Sequence, residues 1–202
     1  MRYGSQEHCE ARAIDAALRL AVRTPVDRLV DLATGTGLLL RRLAALPGRP
    51  AQAVGVDRSA SMLARVGALP AGWSVLRADA RSVPLPDAHA DVVTCAYLLQ
   101  LLDAGERREV LGEARRLLRR DPRARLVVVT VWVDERRPLG RAMARALRAA
   151  ARMRPRAWGG LRPLDPTAEL EAIGFAVTHR VVLPRGGYPS LVLASTPSFR
   201  GS

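Results

Sequence analysis

The sequence predicts an α/β fold: a doubly wound, mostly parallel seven-stranded sheet with an antiparallel C-terminal edge strand and an inserted helical lid. Three observations lead there. Short apolar runs that end in an acid or a small residue alternate with stretches of helical spacing from Arg28 to Trp132. The first of these runs passes through Gly35-Thr36-Gly37 directly into a helical pattern. The last two strand patterns are joined only by Arg185-Gly186-Gly187-Tyr188-Pro189, which is too short for a parallel crossover.

Taken in order, Arg28 to Ala33 reads as a buried strand and Leu38 to Leu46 as a helix that Pro47-Gly48 ends. The glycines between them let backbone pass close to a ligand. A pyrophosphate-binding turn carries a third glycine for close helix packing. Counted from Gly35, that place holds Leu40, so a ligand without phosphates fits better. Ala51 to Asp57 is the second strand, ending in a carboxylate that can accept both hydroxyls of a ribose, and Ser59 then starts a helix. Trp73 to Ala78 ends in Asp79-Ala80, and Asp91 to Ala96 ends in Cys95-Ala96-Tyr97. In an open parallel sheet these strand ends line the ligand crevice.

Asp103-Ala104-Gly105-Glu106 has the pattern of a capping box for a helix running to Arg120, stopped by Asp121-Pro122. The fifth strand is Arg125 to Trp132. Residues 133–164 form the inserted lid, where nine arginines and no acids occur between Arg136 and Arg162. On a helical wheel Arg137, Arg141, Arg145, Arg148 and Arg152 form one stripe, with Leu139, Met143, Ala146, Leu147, Ala150 and Met153 opposite. Three readings suit this helix: a solvated arginine face, contact with an anionic acceptor, or contact with an acidic membrane surface. Asp165-Pro166 opens a short helix ended by Gly174, and the strands Phe175 to Leu183 and Ser190 to Thr196 follow.

Composition fits one domain over residues 1–202, with 1–24 as an N-terminal cap. Apolar residues make up 49% of the chain, enough for a full core. Cys9 and Cys95 are far apart, with neither a CxxC pair nor a secretory h-region, which points to the cytoplasm. No apolar run approaches a membrane span, and the histidines and cysteines show no metal-ligand spacing. The net charge of +13 comes wholly from arginine, as all 32 basic residues are arginine. That looks like compositional bias and argues only weakly for a polyanion partner. Aromatics, at 4%, are too few to suggest stacking platforms for bases.

Four segments carry a family resemblance. VDLATGTG (Val30 to Gly37), GVDRSASML (Gly55 to Leu63), RADARSVPLPDAHADVVTCAYLLQLL (Arg77 to Leu102) and LEAIGF (Leu170 to Phe175) resemble, in order, motifs of class I S-adenosylmethionine-dependent methyltransferases. The small-molecule branch that includes ubiquinone and menaquinone biosynthesis methyltransferases is the most similar, and the resemblance runs from about Val26 to Thr196. It implies a Rossmann-like fold and S-adenosylmethionine as cofactor. By the resemblance, the site comprises Asp31, Ala33, Thr34, Gly35, Gly37, Asp57, Arg58, Met62, Asp79, Ala80, Cys95 and Ala96. Gly35 and Gly37 would admit the methionine and ribose portion, and Asp31 would reach the amino group. Asp57 would hold the ribose hydroxyls, and Met62 would pack on adenine. Asp79 and the amide of Ala80 would read the adenine edge, and the carbonyl of Cys95 or Ala96 would hold the ammonium. Ala33 stands where most of the superfamily has glycine, a departure that the quinone-type branch tolerates.

No catalytic residue stands out. His89 lies in a polar loop and His179 alternates with Val177 and Val181 along a strand. His8, with Tyr3 and Glu10 nearby, lies in the segment that closes the pocket in related enzymes. Gln100 stands near where relatives often carry a histidine, while Tyr97, Leu98 and Leu101 read as pocket wall or core. The resemblance implies methyl transfer to oxygen or carbon of a small phenolic, quinone-like or natural-product acceptor by in-line displacement. Two alternatives stay open. One is methylation of nucleic acid or protein, opposed by Thr94-Cys95-Ala96-Tyr97 where many such enzymes carry an Asn/Asp-Pro-Pro-Tyr/Phe motif. The other is a coenzyme-binding relative without activity.

Overall fold

The computed structural model describes residues 3–136, 138–153, 162–184 and 187–198, and among these the side chains of residues 3–8, 139 and 150–153 are outside the description. The elements are α1 (Tyr3–Ala21), β1 (Arg28–Leu32), α2 (Leu38–Ala44), β2 (Gln52–Asp57), α3 (Ala60–Leu63), β3 (Trp73–Arg77) and β4 (Val92–Ala96). A 3-10 turn (Leu99–Leu101), α4 (Ala104–Leu117), β5 (Arg125–Val131), α5 (Pro138–Met153), α6 (Thr167–Ala172), β6 (Phe175–Leu183) and β7 (Ser190–Pro197) follow.

The seven strands form one sheet in the order β3-β2-β1-β4-β5-β7-β6. β1 through β5 pair in parallel, and β7 runs antiparallel to both β5 and β6. The reversed strand is therefore the C-terminal one, as expected, but it does not form the edge. It slots between β5 and β6, and β6 takes the edge, because the short hairpin must lay β7 beside β6 while β5 still offers an open side. The sheet order reverses between β1 and β4, where a crevice opens beyond the strand ends.

Side-chain alternation builds a core on each face. Leu29, Val92, Val127, Val129, Val192 and Ala194 pack against α1 and α2, while Val30, Leu32, Val93, Leu126, Val128, Leu191 and Leu193 pack against α4 and α6. All seven residues of β5 are buried. On α1, Ala13, Ile14, Ala17, Leu18 and Ala21 recur at helical spacing and are all buried. Burial of Ile14 and Leu18 contributes about 1.5 to 3 kcal/mol each toward holding α1 on the sheet.

A buried cation fixes the other end of that helix. Arg125, at the start of β5 and 2% exposed, donates from Nε to the carbonyls of Leu20 at 3.0 Å and Ala21 at 3.1 Å. Its Nη2 also reaches the Ala21 carbonyl, and Nη1 donates to Thr24 Oγ1 at 3.0 Å and to the Arg123 carbonyl at 2.8 Å. The guanidinium thus satisfies carbonyls at the C-terminal end of α1, which lack partners within the helix. Burial lowers the Arg125 pKa to about 10.

Local signals worked as read at several ends. Asp103 and Glu106 make the expected capping box on α4, with Glu106 N donating to Asp103 Oδ1 at 2.9 Å and Asp103 N to Glu106 Oε2 at 3.1 Å. Gly174 ends the α6 segment with φ +85°.

The lid helix keeps the described arginines of its stripe, Arg141, Arg145 and Arg148, exposed, and its buried line runs along the flank of that stripe. Ala144, on the arginine side of the wheel, is fully buried, whereas Met143 on the apolar side is 45% exposed and Ala146 is exposed. Arg148 turns back to Glu135, with Nη1 to Oε2 at 3.0 Å and Nη2 to Oε1 at 2.5 Å. Glu135, just ahead of α5, pairs with one arginine of the stripe without burying it, since both side chains stay more than 40% exposed. Of the stripe, Arg137 and the side chain of Arg152 lie outside the described residues, as do the side chains of Leu139, Ala150 and Met153.

Candidate functional site

The ends of β1 to β4, with α1 lying across them, enclose a cavity of about 560 Å3. Ten of the twelve site residues expected from the sequence line it: Asp31, Ala33, Thr34, Gly35, Asp57, Arg58, Met62, Asp79, Ala80 and Ala96. Gly37 and Cys95 do not.

The two glycines of the turn have different reasons for being glycine. Gly35 has φ +56° and faces open space, with nothing within 4 Å of where a Cβ would stand. Gly37 has φ +77°, but a Cβ there would lie 2.8 Å from Val66 Cγ1. Its expected approach to a ligand is therefore replaced by a packing demand: Gly37 makes room for Val66 and starts α2. The missing third glycine is also accounted for. Leu40 is fully buried, and a Cβ on Gly55 of β2 would come within 2.7 Å of Leu40 Cδ1. Close helix–sheet approach is supplied by a glycine in the strand rather than one in the helix.

Ala33 adopts φ +57°, a left-handed conformation that costs a residue with a Cβ and explains why glycine suits this place. Asp31, 2% exposed, accepts a hydrogen bond from Thr94 Oγ1 at 2.7 Å. Burial raises its pKa to about 6, with the Thr94 bond opposing and the charge of Asp57 adding to the rise. The buried Thr34 hydroxyl is near enough to lower that value slightly but makes no hydrogen bond of good geometry.

Asp57 has structural work alongside any ligand. Its Oδ2 accepts from Gly35 N at 2.9 Å and its Oδ1 from Ser59 N at 2.8 Å, so it ties the end of β2 to the glycine turn. Asp79 is held by Arg81. Oδ1 accepts from Arg81 N at 2.9 Å and Nε at 3.0 Å, and Oδ2 from Nη2 at 2.8 Å. Those bonds hold the Asp79 carboxyl down at a pKa of about 2. Cys95 points into the core, 1% exposed, and burial pushes its thiol well above the usual range. Only Ala96 of that pair reaches the cavity.

Apolar side chains complete the wall. Ile14, Leu38, Leu39, Leu98, Leu101, Leu102 and Val110 line it with Tyr97, which settles Tyr97, Leu98 and Leu101 as pocket wall. Tyr97 carries φ +55°, packs edge-on to Tyr188 with ring centroids 6.2 Å apart, and has its hydroxyl 2.8 Å from Ser190 Oγ. Burial holds that phenol in its neutral form, above the usual tyrosine range. Tyr188 N donates to the Cys9 carbonyl at 3.0 Å, so the β6–β7 hairpin also clasps α1 over the opening.

None of the histidines is shown at this cavity. His89 sits in the loop before β4, lowered in pKa by burial and then by Arg28 and Arg119. His179 is on β6, where Arg23 Nη1 lies 3.0 Å from its Nε2. The side chains of His8 and Tyr3 lie outside the described residues, while Glu10 does line the cavity. Gln100 is 3% exposed and lines a separate cavity.

Sequence reading missed Ile14, Arg81, Leu102, Glu106 and Val110 as wall residues. The alanine–leucine spacing of α1 was a usable signal for Ile14; nothing local marks Arg81 apart from the many other arginines. Together Glu10, Asp31, Asp57, Asp79 and Glu106 bring five carboxylates to the wall against two guanidiniums, Arg58 and Arg81. Such a wall favours a cation and disfavours a polyphosphate. A coenzyme with a sulfonium and an ammonium, a ribose and no phosphate fits this donor set.

Comparison with known proteins agrees. Residues 29–121 match the family described as methyltransferase domain. The chain is 38% identical over 136 residues to a demethylmenaquinone methyltransferase of Thermus thermophilus, covering 64% of this chain and 56% of that protein. It is 33% identical over 119 residues to a 2-phytyl-1,4-naphtoquinone methyltransferase of Synechococcus elongatus, covering 55% of this chain and 49% of that one. The chain thus spans about half the length of the curated relatives it matches. Among solved structures, the N-methyltransferase NodS of Bradyrhizobium japonicum superposes with a TM-score of 0.69 at 15% identity, over 94% of this chain and 97% of that one. A complex between the Haloferax volcanii Trm112 methyltransferase activator and a methyltransferase gives 0.72 at 17%, over 99% and 94%. These two likenesses concern the fold. Fold, site and relatives point to one class: residues 29–121 match the methyltransferase-domain family, and the chain is similar to methyltransferases over about half of their length. Within that class it resembles the quinone-biosynthesis methyltransferases.

Proposed function

We propose that this protein transfers a methyl group from S-adenosylmethionine to oxygen or carbon of a small acceptor, a phenol, a quinone-like ring or a similar natural product. The observation that carries the reading is one cavity at the strand termini whose wall combines five carboxylates with a set of apolar side chains. The quinone substrates named for the relatives are consistent with the apolar part of that wall.

In this reading Asp31, with the carbonyls of Cys95 and Ala96, binds the ammonium of the coenzyme, and Ala33, Thr34 and Gly35 lie along its methionine and ribose portion. Asp57 uses its remaining lone pairs for the ribose hydroxyls while bracing Gly35. Arg58 and Met62 flank the adenine, and Asp79 with the Ala80 amide reads its edge. The coenzyme supplies a methyl carbon already activated by a sulfonium. The chain's contribution is placement: Tyr97, Leu98, Leu101 and Ile14 hold the acceptor in line and exclude water. Methyl transfer would draw the new bond from a lone pair of an acceptor oxygen, or from the ring π pair at an acceptor carbon, and leave the electron pair of the broken carbon–sulfur bond on sulfur. Glu10, the carboxylate that α1 brings to the wall, receives the acceptor's proton.

Residues 1–202 then form one methyltransferase domain, with 1–24 as cap and 133–164 as lid. Among the described residues no helix is long and apolar enough to cross a membrane. Cys9 and Cys95 are both free, which supports a cytoplasmic setting. Incubation with coenzyme labelled in its methyl group and a cell extract tests the reading. Label should enter the small-molecule fraction; label confined to RNA, DNA or protein would overturn it.

A further inference from the structure

A second cavity, of about 280 Å3, lies beside the first and shares Leu102 with it. Its wall is opposite in charge. Arg107 of α4, Arg148 of α5 and Arg162 on the segment before α6 converge on it with Gln100, and no carboxylate lines it. Two of the guanidiniums are fixed from behind. Arg107 donates from Nε to Glu169 Oε1 at 2.8 Å and from Nη1 to the Leu102 carbonyl at 2.8 Å, and its Nη2 lies 2.7 Å from the same Glu169 oxygen. Arg148 forks onto Glu135 with Nη1 and Nη2. Arg162 has no carboxylate partner among the described residues. Three cations from three separate parts of the chain thus face one space, with two of them balanced.

We propose that this cavity binds an anionic group, a carboxylate, sulfate or phosphate, carried by the methyl acceptor. The charge contrast is the main support. A wall with five carboxylates repels an anion from the first cavity, while the surplus positive charge next door, that of Arg162, attracts it, so an acceptor spanning Leu102 is oriented end for end. A planar guanidinium suits an oxyanion, Arg162 presents one that no carboxylate holds among the described residues, and the buried Gln100 adds a polar side chain to the same wall. The lid arginine with a defined task is then Arg148, whereas Arg141 and Arg145 face solvent. The inference rests on the small-molecule reading given above and narrows its acceptor to an anion.

The test has two arms, each run on the full chain as wild type, Arg162→Gln and Arg141→Gln. Calorimetric titration with inorganic phosphate should show millimolar binding to the wild type, weakened about tenfold in Arg162→Gln, the loss of one charge-assisted contact, and unchanged in Arg141→Gln. In the second arm, small molecules from a cell extract are separated by anion exchange and offered with methyl-labelled coenzyme. Label should enter the anionic fraction, and Arg162→Gln should lower that incorporation by about tenfold without changing the thermal stabilisation given by the coenzyme. Phosphate binding that is absent or indifferent to Arg162 overturns the site. Label restricted to neutral fractions overturns the anionic acceptor while the methyltransferase reading stands, and phosphate binding alongside it would assign the cavity to a free anion. Arg162-dependent retention on vesicles of anionic lipid, with neutral products, would assign it to a membrane surface instead. No label in any small-molecule fraction overturns the proposed function, and this inference with it.

Discussion

Ala33 shows what a single residue costs and reveals. Its φ of +57° puts a Cβ in the left-handed region at the end of β1, where an L-residue other than glycine is disfavoured by about 1 to 2 kcal/mol. Ala33→Gly should relieve that strain at some cost in unfolded-chain entropy, for a net gain of about 1 kcal/mol in urea denaturation. Unchanged or lower stability would show that the surroundings already compensate the strain. Asp31 makes a second prediction. Its raised pKa favours the protonated form in the free fold, a contribution fully present below its ordinary 3.8 and lost as pH rises through about 6. The coenzyme's ammonium demands the opposite, the carboxylate. Coenzyme affinity should therefore be flat above pH 6 and fall about tenfold per unit below it, and Asp31→Asn should abolish that dependence in titrations across the range. Aspartates at strand ends were legible because motif and spacing mark them. The bonds that occupy Asp57 and Asp79 were not, because Gly35 and Ser59 amides and the Arg81 side chain reach them only once the turns are folded.

At the scale of elements, α1 is held by contacts distant in sequence. Arg125 closes its C-terminal end from 104 residues away, and the β6–β7 hairpin clasps its other end at Cys9. Arg125→Met keeps much of the volume but strands the carbonyls of Leu20 and Ala21, which should cost about 2 to 4 kcal/mol and raise hydrogen exchange along α1 first. A uniform loss across the sheet, with α1 no more exposed than the rest, would assign Arg125 a role in β5 alone. Residues 1–24 were legible only as a cap, since no local signal tells where such a helix docks. The capping box on α4 and the glycine ending the α6 segment are contained in a few neighbouring residues and were read correctly. In the lid the arginine stripe was legible as an exposed face, but the burial of Ala144 beside it was not, because it depends on what α5 packs against.

For the whole molecule, strand order and direction follow from connection lengths, and the misplaced detail was which of the last two strands forms the edge. The net charge of +13 says little by itself, but its partition says more: carboxylates gather at the first cavity and arginines at its neighbour. The central claim is that the first cavity recognises a cationic, phosphate-free coenzyme through Asp57 and its neighbouring aspartates. Thermal unfolding of the wild type and Asp57→Ala with S-adenosylmethionine, and with NAD as comparison, tests it most directly. At a hundredfold excess over its dissociation constant, S-adenosylmethionine should stabilise the wild type by about 2.7 kcal/mol, NAD should not, and Asp57→Ala should lose most of the effect. Equal stabilisation by NAD, or a coenzyme effect indifferent to Asp57, would contradict the account.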